Sequence, residues 1–265
     1  MEEYLNSKIN VVIAGYPKSG THWVSWLVAE MLGAHKVMHL PIELGESIGP
    51  GTISEKSEPL ANCFKTHLTC DQIEDCFDKN QTVKILHVVR DPRDIVVSGA
   101  YYFSFKKSWI ERIVNNKLFR SMQSNGNFKS FIEPSTSSYK KTRMLNAVVN
   151  GDPNVSEWLG VSWKEYTNSF INSDVLQVRY EDLMQTPQET CKIICDFLSI
   201  NVSDDQIRNA ITNQSFEQKT QRNWGGYNII RNAQVGSWKG ELNKPSLDKI
   251  QLSMKNEMHQ LGYTF

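Results

Sequence analysis

Apolar residues in this chain fall into short unbroken runs, and after most of them comes a stretch in which every third or fourth position is apolar. Val11–Ala14 is continuously apolar and partly β-branched, the pattern of a strand buried on both faces of a parallel sheet. From Thr21 onward, Trp23, Val24, Trp26, Leu27, Met31 and Leu32 recur at helical spacing. The alternation returns at Thr82–Val89 (TVKILHVV), a strand followed by helical positions at Ile95, Val96, Val97 and Tyr101. Pro92 suits the first turn of that helix, where a missing N–H costs nothing. A third strand, Asp174–Val178, precedes helices over Pro187–Leu198 and Ser203–Thr212, with Ser203 as N-cap. Cys63–Leu68 is strand-like and puts Lys65 and His67 on one side by its period of two. Further helices are predicted over Asp71–Phe77, Trp163–Phe170 and Ser246–Leu261, the last closed by Gly262. Residues 34–60 read as loop, and 104–141 as irregular. The whole of 104–160 reads as helices and mobile loops covering a substrate. Strands alternating with helices predict an α/β fold: one domain over 1–265 with a central parallel sheet flanked by helices, P-loop NTPase-like.

The junction between the first strand and helix carries the strongest chemical signal. Gly15–Gly20 has the glycine spacing of a Walker A loop, but Thr21 stands where that motif has lysine, and the lysine lies inside the loop as Lys18. A helix N-terminus offers backbone N–H groups and a partial positive charge, so the loop is a cradle for a phosphate-like group. The hydroxyls of Ser19 and Thr21 would grip its oxyanion, and Lys18 would meet charge on a leaving oxygen. The second strand also ends in a basic loop, Arg90–Asp94, and Arg90 with Ser98 is placed to hold a second phosphate. The competing reading is a surface arginine paired with Asp91 or Asp94. Likewise His67 beside Lys65 is a candidate general base, although lone strand histidines are more often structural, His87 above all. Tyr101, Tyr102, Phe103, Phe105 and Trp109 suggest an aromatic-walled pocket for a planar or cationic acceptor.

Charge narrows the partners. The chain has 29 basic and 29 acidic residues, so no net field draws it to nucleic acid or an anionic membrane, and an anion site must be local. No apolar run approaches membrane-spanning length. The acidic, polar start is unlike a signal peptide, and five cysteines do not describe a disulfide framework. Cys191 and Cys195 read as core residues, and the expected compartment is cytoplasmic.

Taken in order, YPKSGTxW, FKTHL, VVRDPRDIVVS, RYEDL and R-x-x-x-x-G-x-W-K resemble the cytosolic sulfotransferase family, over about Val11 to Lys239. The resemblance implies 3′-phosphoadenosine 5′-phosphosulfate (PAPS) as donor, released as adenosine 3′,5′-bisphosphate (PAP), with no metal. It implies that Lys18, Ser19, Gly20, Thr21 and Trp23 hold the phosphosulfate and pack on adenine, and that Arg90 and Ser98 clamp the 3′-phosphate. Tyr180 would contact adenine, Phe216 would stack on it, and Arg231, Asn232 and Ala233 would close over the 3′-phosphate. Lys65 and His67 would be the catalytic pair, His67 taking the proton of an acceptor hydroxyl (or amine); together with Tyr102 and Phe103 they would meet the acceptor. That acceptor is expected to be a small molecule, such as a specialised metabolite.

The sequence departs from the family at several places. His22 replaces a residue that is usually threonine, close enough to the sulfuryl group to affect acceptor preference or to serve as a second base. Asn232 and Ala233 replace Lys-Gly. The dimer motif K-x-x-x-T-V-x-x-x-E is absent, leaving a monomer or a homodimer built another way. Two other functions compete: a P-loop kinase using ATP and Mg²⁺ on a small metabolite, and a nucleotide-binding module without catalysis. The displaced lysine and the lack of a Walker-B-like carboxylate weigh against the first, and the Lys65–His67 pair against the second.

Overall fold

Among the described residues, five strands form one parallel sheet in the order β2-β3-β1-β4-β5. These are β1 (Ile9–Gly15), β2 (Val37–Met38), β3 (Ala61–Thr66), β4 (Val83–Val89) and β5 (Val175–Arg179). The structure, a computed structural model, describes residues 9–34, 37–40, 59–103, 105, 137–171, 173–215, 217–218 and 234–265. Central β1 pairs with β3 on one side (Ala14 opposite Thr66) and with β4 on the other (Gly15 opposite Val88). Alternation along β1 sends Val12 and Ala14 into one core and Val11 and Ile13 into the other, as a strand apolar on both faces requires.

Each core has its own helices. The second is filled by α1 (Thr21–Met31), α7 (Pro187–Leu198) and α8 (Asp204–Asn213), with Cys191 and Cys195 buried inside it. Ser203 caps α8 in a reciprocal capping box with Gln206, as its sequence position predicts. The first is covered by α3 (Pro92–Tyr102), α4 (Ser137–Asn150), α5 (Trp163–Asn168) and α9 (Lys244–Gln260). Two short helices, α2 (Cys70–Glu74) and α6 (Tyr180–Gln185), complete the described α-helices.

Three details differ from the sequence reading. Residues 37–38 form an edge strand within the stretch read as loop. Residues 137–141, read as irregular, open α4, whose polar first turn hides a buried stripe of Met144, Leu145, Ala147 and Val148. Gly99 lets α4 approach α3 closely: a Cβ there would lie 2.5 Å from the Met144 sulfur. Finally, α6 forms directly after β5, its acidic Glu181 and Asp182 suiting a helix N-terminus.

The chain runs from β1 outward to β2, returns through β3, then crosses to β4 and β5 on the other side of β1. The carboxyl ends of β3, β1 and β4 therefore flank the point where the strand order reverses, the usual ligand crevice of an open parallel sheet.

Candidate active site

At the end of β1 the backbone enters the left-handed region twice, at Lys18 (φ +73°) and at Gly20 (φ +91°). Left-handed lysine is uncommon, and such strain gathers where function requires a fixed loop. The Ser19 amide donates to the Tyr16 carbonyl (3.0 Å), and the Val24 amide to the Gly20 carbonyl (3.1 Å). The amides of the first turn of α1 thus precede the helical ladder, and no acidic side chain stands there to neutralise them. The hydroxyls of Ser19 and Thr21 are buried without a hydrogen-bond partner among the described residues. Burying a hydroxyl unpaired costs about 1–3 kcal/mol, so two side by side at a helix N-terminus fit an anion that both would bond.

The Lys18 ammonium lies 3.6 Å from the centroid of the Tyr102 ring, which is 42 % exposed. Burial, with Arg90 adding to it, pushes the Lys18 pKa down to about 8. A cation–π contact at such a site contributes about 0.5–1 kcal/mol. A hydrogen bond between charged groups contributes about 1.5–3 kcal/mol, so an anion in the loop draws Lys18 off Tyr102.

At the end of β3, His67 is held by both ring nitrogens. Its Nδ1 is 2.6 Å from the Gly15 carbonyl, and its Nε2 is 3.1 Å from the Lys65 ammonium. A carbonyl only accepts, so Nδ1 carries the hydrogen and Nε2 presents its lone pair. Burial, then the nearby Lys65, holds the His67 pKa well below its ordinary value, which keeps the imidazole neutral and able to accept a proton. Trp158, in the 3₁₀ turn Glu157–Leu159, lies 5.2 Å from the His67 ring and 5.7 Å from the Lys65 ammonium. It is 42 % exposed, and sequence reasoning passes over it. Its only signal is a bulky aromatic residue between Glu157 and Leu159 in a stretch without clear periodicity.

At the end of β4, Arg90 is buried. It donates to the carbonyls of Lys18 and Gln234, both at 3.2 Å, and lies 4.4 Å from the Tyr180 ring. The surface ion pair weighed for Arg90 does not form. Asp91 binds Arg93 through both oxygens, and Asp94 accepts from the amides of Gly236 and Trp238 and from the Ser237 hydroxyl. The Arg90 Nε is buried with no partner among the described residues, so the guanidinium keeps donor capacity for a second anion.

The other predicted residues divide. Tyr180 packs its ring where a Gly20 Cβ would stand, 2.5 Å away, and meets Trp23 edge-on at 5.7 Å. Trp23 donates to the Gln214 carbonyl (2.7 Å). His22 lies with its ring tilted 4.0 Å from that of Trp26 and contributes to the field at His67. Ser98 is half-buried on α3. Phe103 packs edge-on to Tyr102, whereas Phe105 belongs to the core. His87 is a core residue, stacked 4.2 Å from Phe170. Phe216, Arg231, Asn232 and Ala233 lie outside the described residues, as do Trp109 and His35.

Three comparisons agree on what this arrangement resembles. The family profile described as "Sulfotransferase domain" matches residues 8–262. Sulfotransferase 2A2 of Mus musculus is 26% identical over 236 residues, covering 85% of this chain and 72% of that protein. Sulfotransferase 2A1 of Homo sapiens is 24% identical over 241 residues, covering 86% and 73%. Among solved structures, mouse sulfotransferase SULT7A1 complexed with PAP superimposes with a TM-score of 0.64 at 22% identity, over 97% of this chain and 88% of that one.

Proposed function

Because the chain belongs to the sulfotransferase family, we propose that it moves the sulfuryl group of PAPS to a hydroxyl, or an amine, of a small-molecule acceptor. The observation that carries this is the meeting of base, loop cation and second cation at three adjacent strand ends: His67 after β3, Lys18 after β1 and Arg90 after β4. Sulfuryl transfer needs an in-line approach and charge neutralisation at the leaving phosphate. PAPS supplies the electrophilic sulfur.

The protein's own side chains do the rest. His67 accepts the acceptor's proton at Nε2 while the Gly15 carbonyl holds Nδ1–H and steadies the imidazolium. Lys65 turns from Nε2 to the transferring group, and Lys18 leaves Tyr102 for the leaving oxygen. Ser19, Thr21 and the first turn of α1 hold the 5′-phosphate side. Arg90 with Ser98 takes the 3′-phosphate, and Tyr180, Trp23 and Phe216 take the adenine. Arg231, Asn232 and Ala233 close the 3′-phosphate side. Tyr102, Phe103 and Trp158 face the acceptor, and His22 adjusts its fit. We place the protein in the cytoplasm. No described helix is long and apolar enough to cross a membrane.

The kinase reading loses a further support here, since the carboxylates after β4 are held by Arg93 and by the 236–238 turn. A thermal-shift comparison separates the two. At one hundred times its Kd, PAP should raise the midpoint by roughly 5–10 °C, with Mg·ATP giving little. The reverse ranking would sink the sulfotransferase reading.

The Lys18 pKa of about 8 gives a second expectation. Below pH 8 the unliganded site already holds a cation. Above it Lys18 is neutral and must gain a proton as the anion binds. PAP affinity should therefore fall as pH rises past 8, by up to about tenfold per unit. Calorimetric titration from pH 6.5 to 9.5 measures this, and Lys18→Arg, which stays charged, should flatten the profile.

A further inference from the structure

The Arg90 side chain is anchored weakly for a phosphate clamp: two carbonyls at 3.2 Å and the face of Tyr180. Its backbone position comes from its neighbours. The Asp91 amide donates to Oε1 of Glu181 (3.0 Å), and the other oxygen of that carboxylate accepts from the Tyr263 hydroxyl (2.8 Å). Glu181 directly follows Tyr180, so one buried carboxylate ties the loop bearing Arg90 to the backbone bearing Tyr180. A parallel tie runs through Arg93, which grips Asp91, donates to the Thr264 carbonyl (2.8 Å) and lies 4.1 Å from the Trp238 ring. Residues 263–264, 82 positions beyond Glu181 and 171 beyond Arg93, thus close both ties.

Resting on the reading of Arg90 as a donor contact, we propose that Glu181 and Tyr263 are positioning residues for PAPS: they fix the separation of Arg90 and Tyr180 and so set donor affinity without touching the reacting atoms. None of the family motifs read from the sequence includes Tyr263, and nothing in RYEDL itself says that its glutamate faces inward. The arrangement does not resemble a core ion pair filling space. Glu181 has an amide on one oxygen and a phenol on the other, and each donor belongs to a different segment.

The test measures PAP affinity by calorimetry, and donor KM and kcat by transfer from labelled PAPS, in the wild-type chain and three variants. Tyr263→Phe keeps the ring and removes the hydroxyl with its bonds to Glu181 and Arg179. Glu181→Ala removes the carboxylate's bonds to Asp91 and Tyr263. Glu181→Gln retains an acceptor for Asp91 and a donor for Tyr263. Donor KM and PAP Kd should rise about 3–10-fold in Tyr263→Phe and further in Glu181→Ala, with kcat at saturating donor within twofold and Glu181→Gln near wild type. Unchanged donor affinity in a well-folded Tyr263→Phe overturns the proposal. So does a loss shared equally by kcat and the melting temperature, the sign of a merely structural role. Should Glu181→Ala fail to fold, Tyr263→Phe decides. A wild-type chain that did not bind PAP would overturn the donor-site reading and this inference with it.

Discussion

Replacing His67 with alanine is expected to lower turnover by roughly 10²–10⁴-fold, the contribution of one well-placed general base, while PAP affinity stays within about threefold. Burial keeps the imidazole neutral and the Gly15 carbonyl fixes its tautomer, so the lone pair on Nε2 is available without prior loss of a proton. The pH profile carries the same signature. With the His67 pKa held well below its ordinary value, kcat/KM should show no fall between pH 8 and pH 6 attributable to its protonation. His67→Gln, which can still donate to Gly15 but cannot take a proton, should be as slow as His67→Ala. Transfer from labelled PAPS, measured across a panel of acceptors, decides it. An active His67→Ala would move the base elsewhere, with His22 the first residue to examine.

Gly20→Ala should destabilise the protein and weaken its donor site together. The residue sits at φ +91°, where an L side chain costs about 1–2 kcal/mol, and the new Cβ would lie 2.5 Å from a ring carbon of Tyr180. Overpacking adds about 1–3 kcal/mol, so a loss of about 2–5 kcal/mol is expected, read as a lower urea midpoint with an unchanged slope. If Tyr180 swings aside to relieve the contact, Arg90 loses the face it lies on, and PAP affinity falls even in folded protein. A variant with wild-type stability and wild-type PAP binding would mean that the Tyr180–Gly20 packing is not part of the donor site.

The loop between β1 and α1 is legible because its chemistry is local: two glycines, a lysine and two hydroxyls at a helix start describe an anion cradle in any context. The strands β1 and β4 are equally plain, since short β-branched apolar runs such as Val11–Ala14 leave little alternative. What escapes is whatever depends on distant packing. Ser137–Lys141 is polar enough to pass for loop, and only α3 beneath it explains why Met144 and Val148 make it a helix. Trp158 stands near His67 through the course of the chain between α4 and α5, which no spacing encodes. Arg90 shows the same limit in reverse. Sequence proximity offered it Asp91 and Asp94 as partners, yet those carboxylates serve Arg93 and the turn before α9.

The aromatic pair Tyr102 and Trp158 belongs to α3 and to the turn ahead of α5, whereas the cradle and the base stand on the ends of the sheet. On the reading proposed above, α3 therefore serves both reactants, with Ser98 toward the donor and Tyr102 toward the acceptor, and Trp158 alone of these aromatic residues stands on a separate turn. A lineage bearing this architecture would then be free to exchange Trp158 and take up new chemistry in its metabolism, whereas a change at Tyr102 would also remove the ring on which the Lys18 ammonium rests.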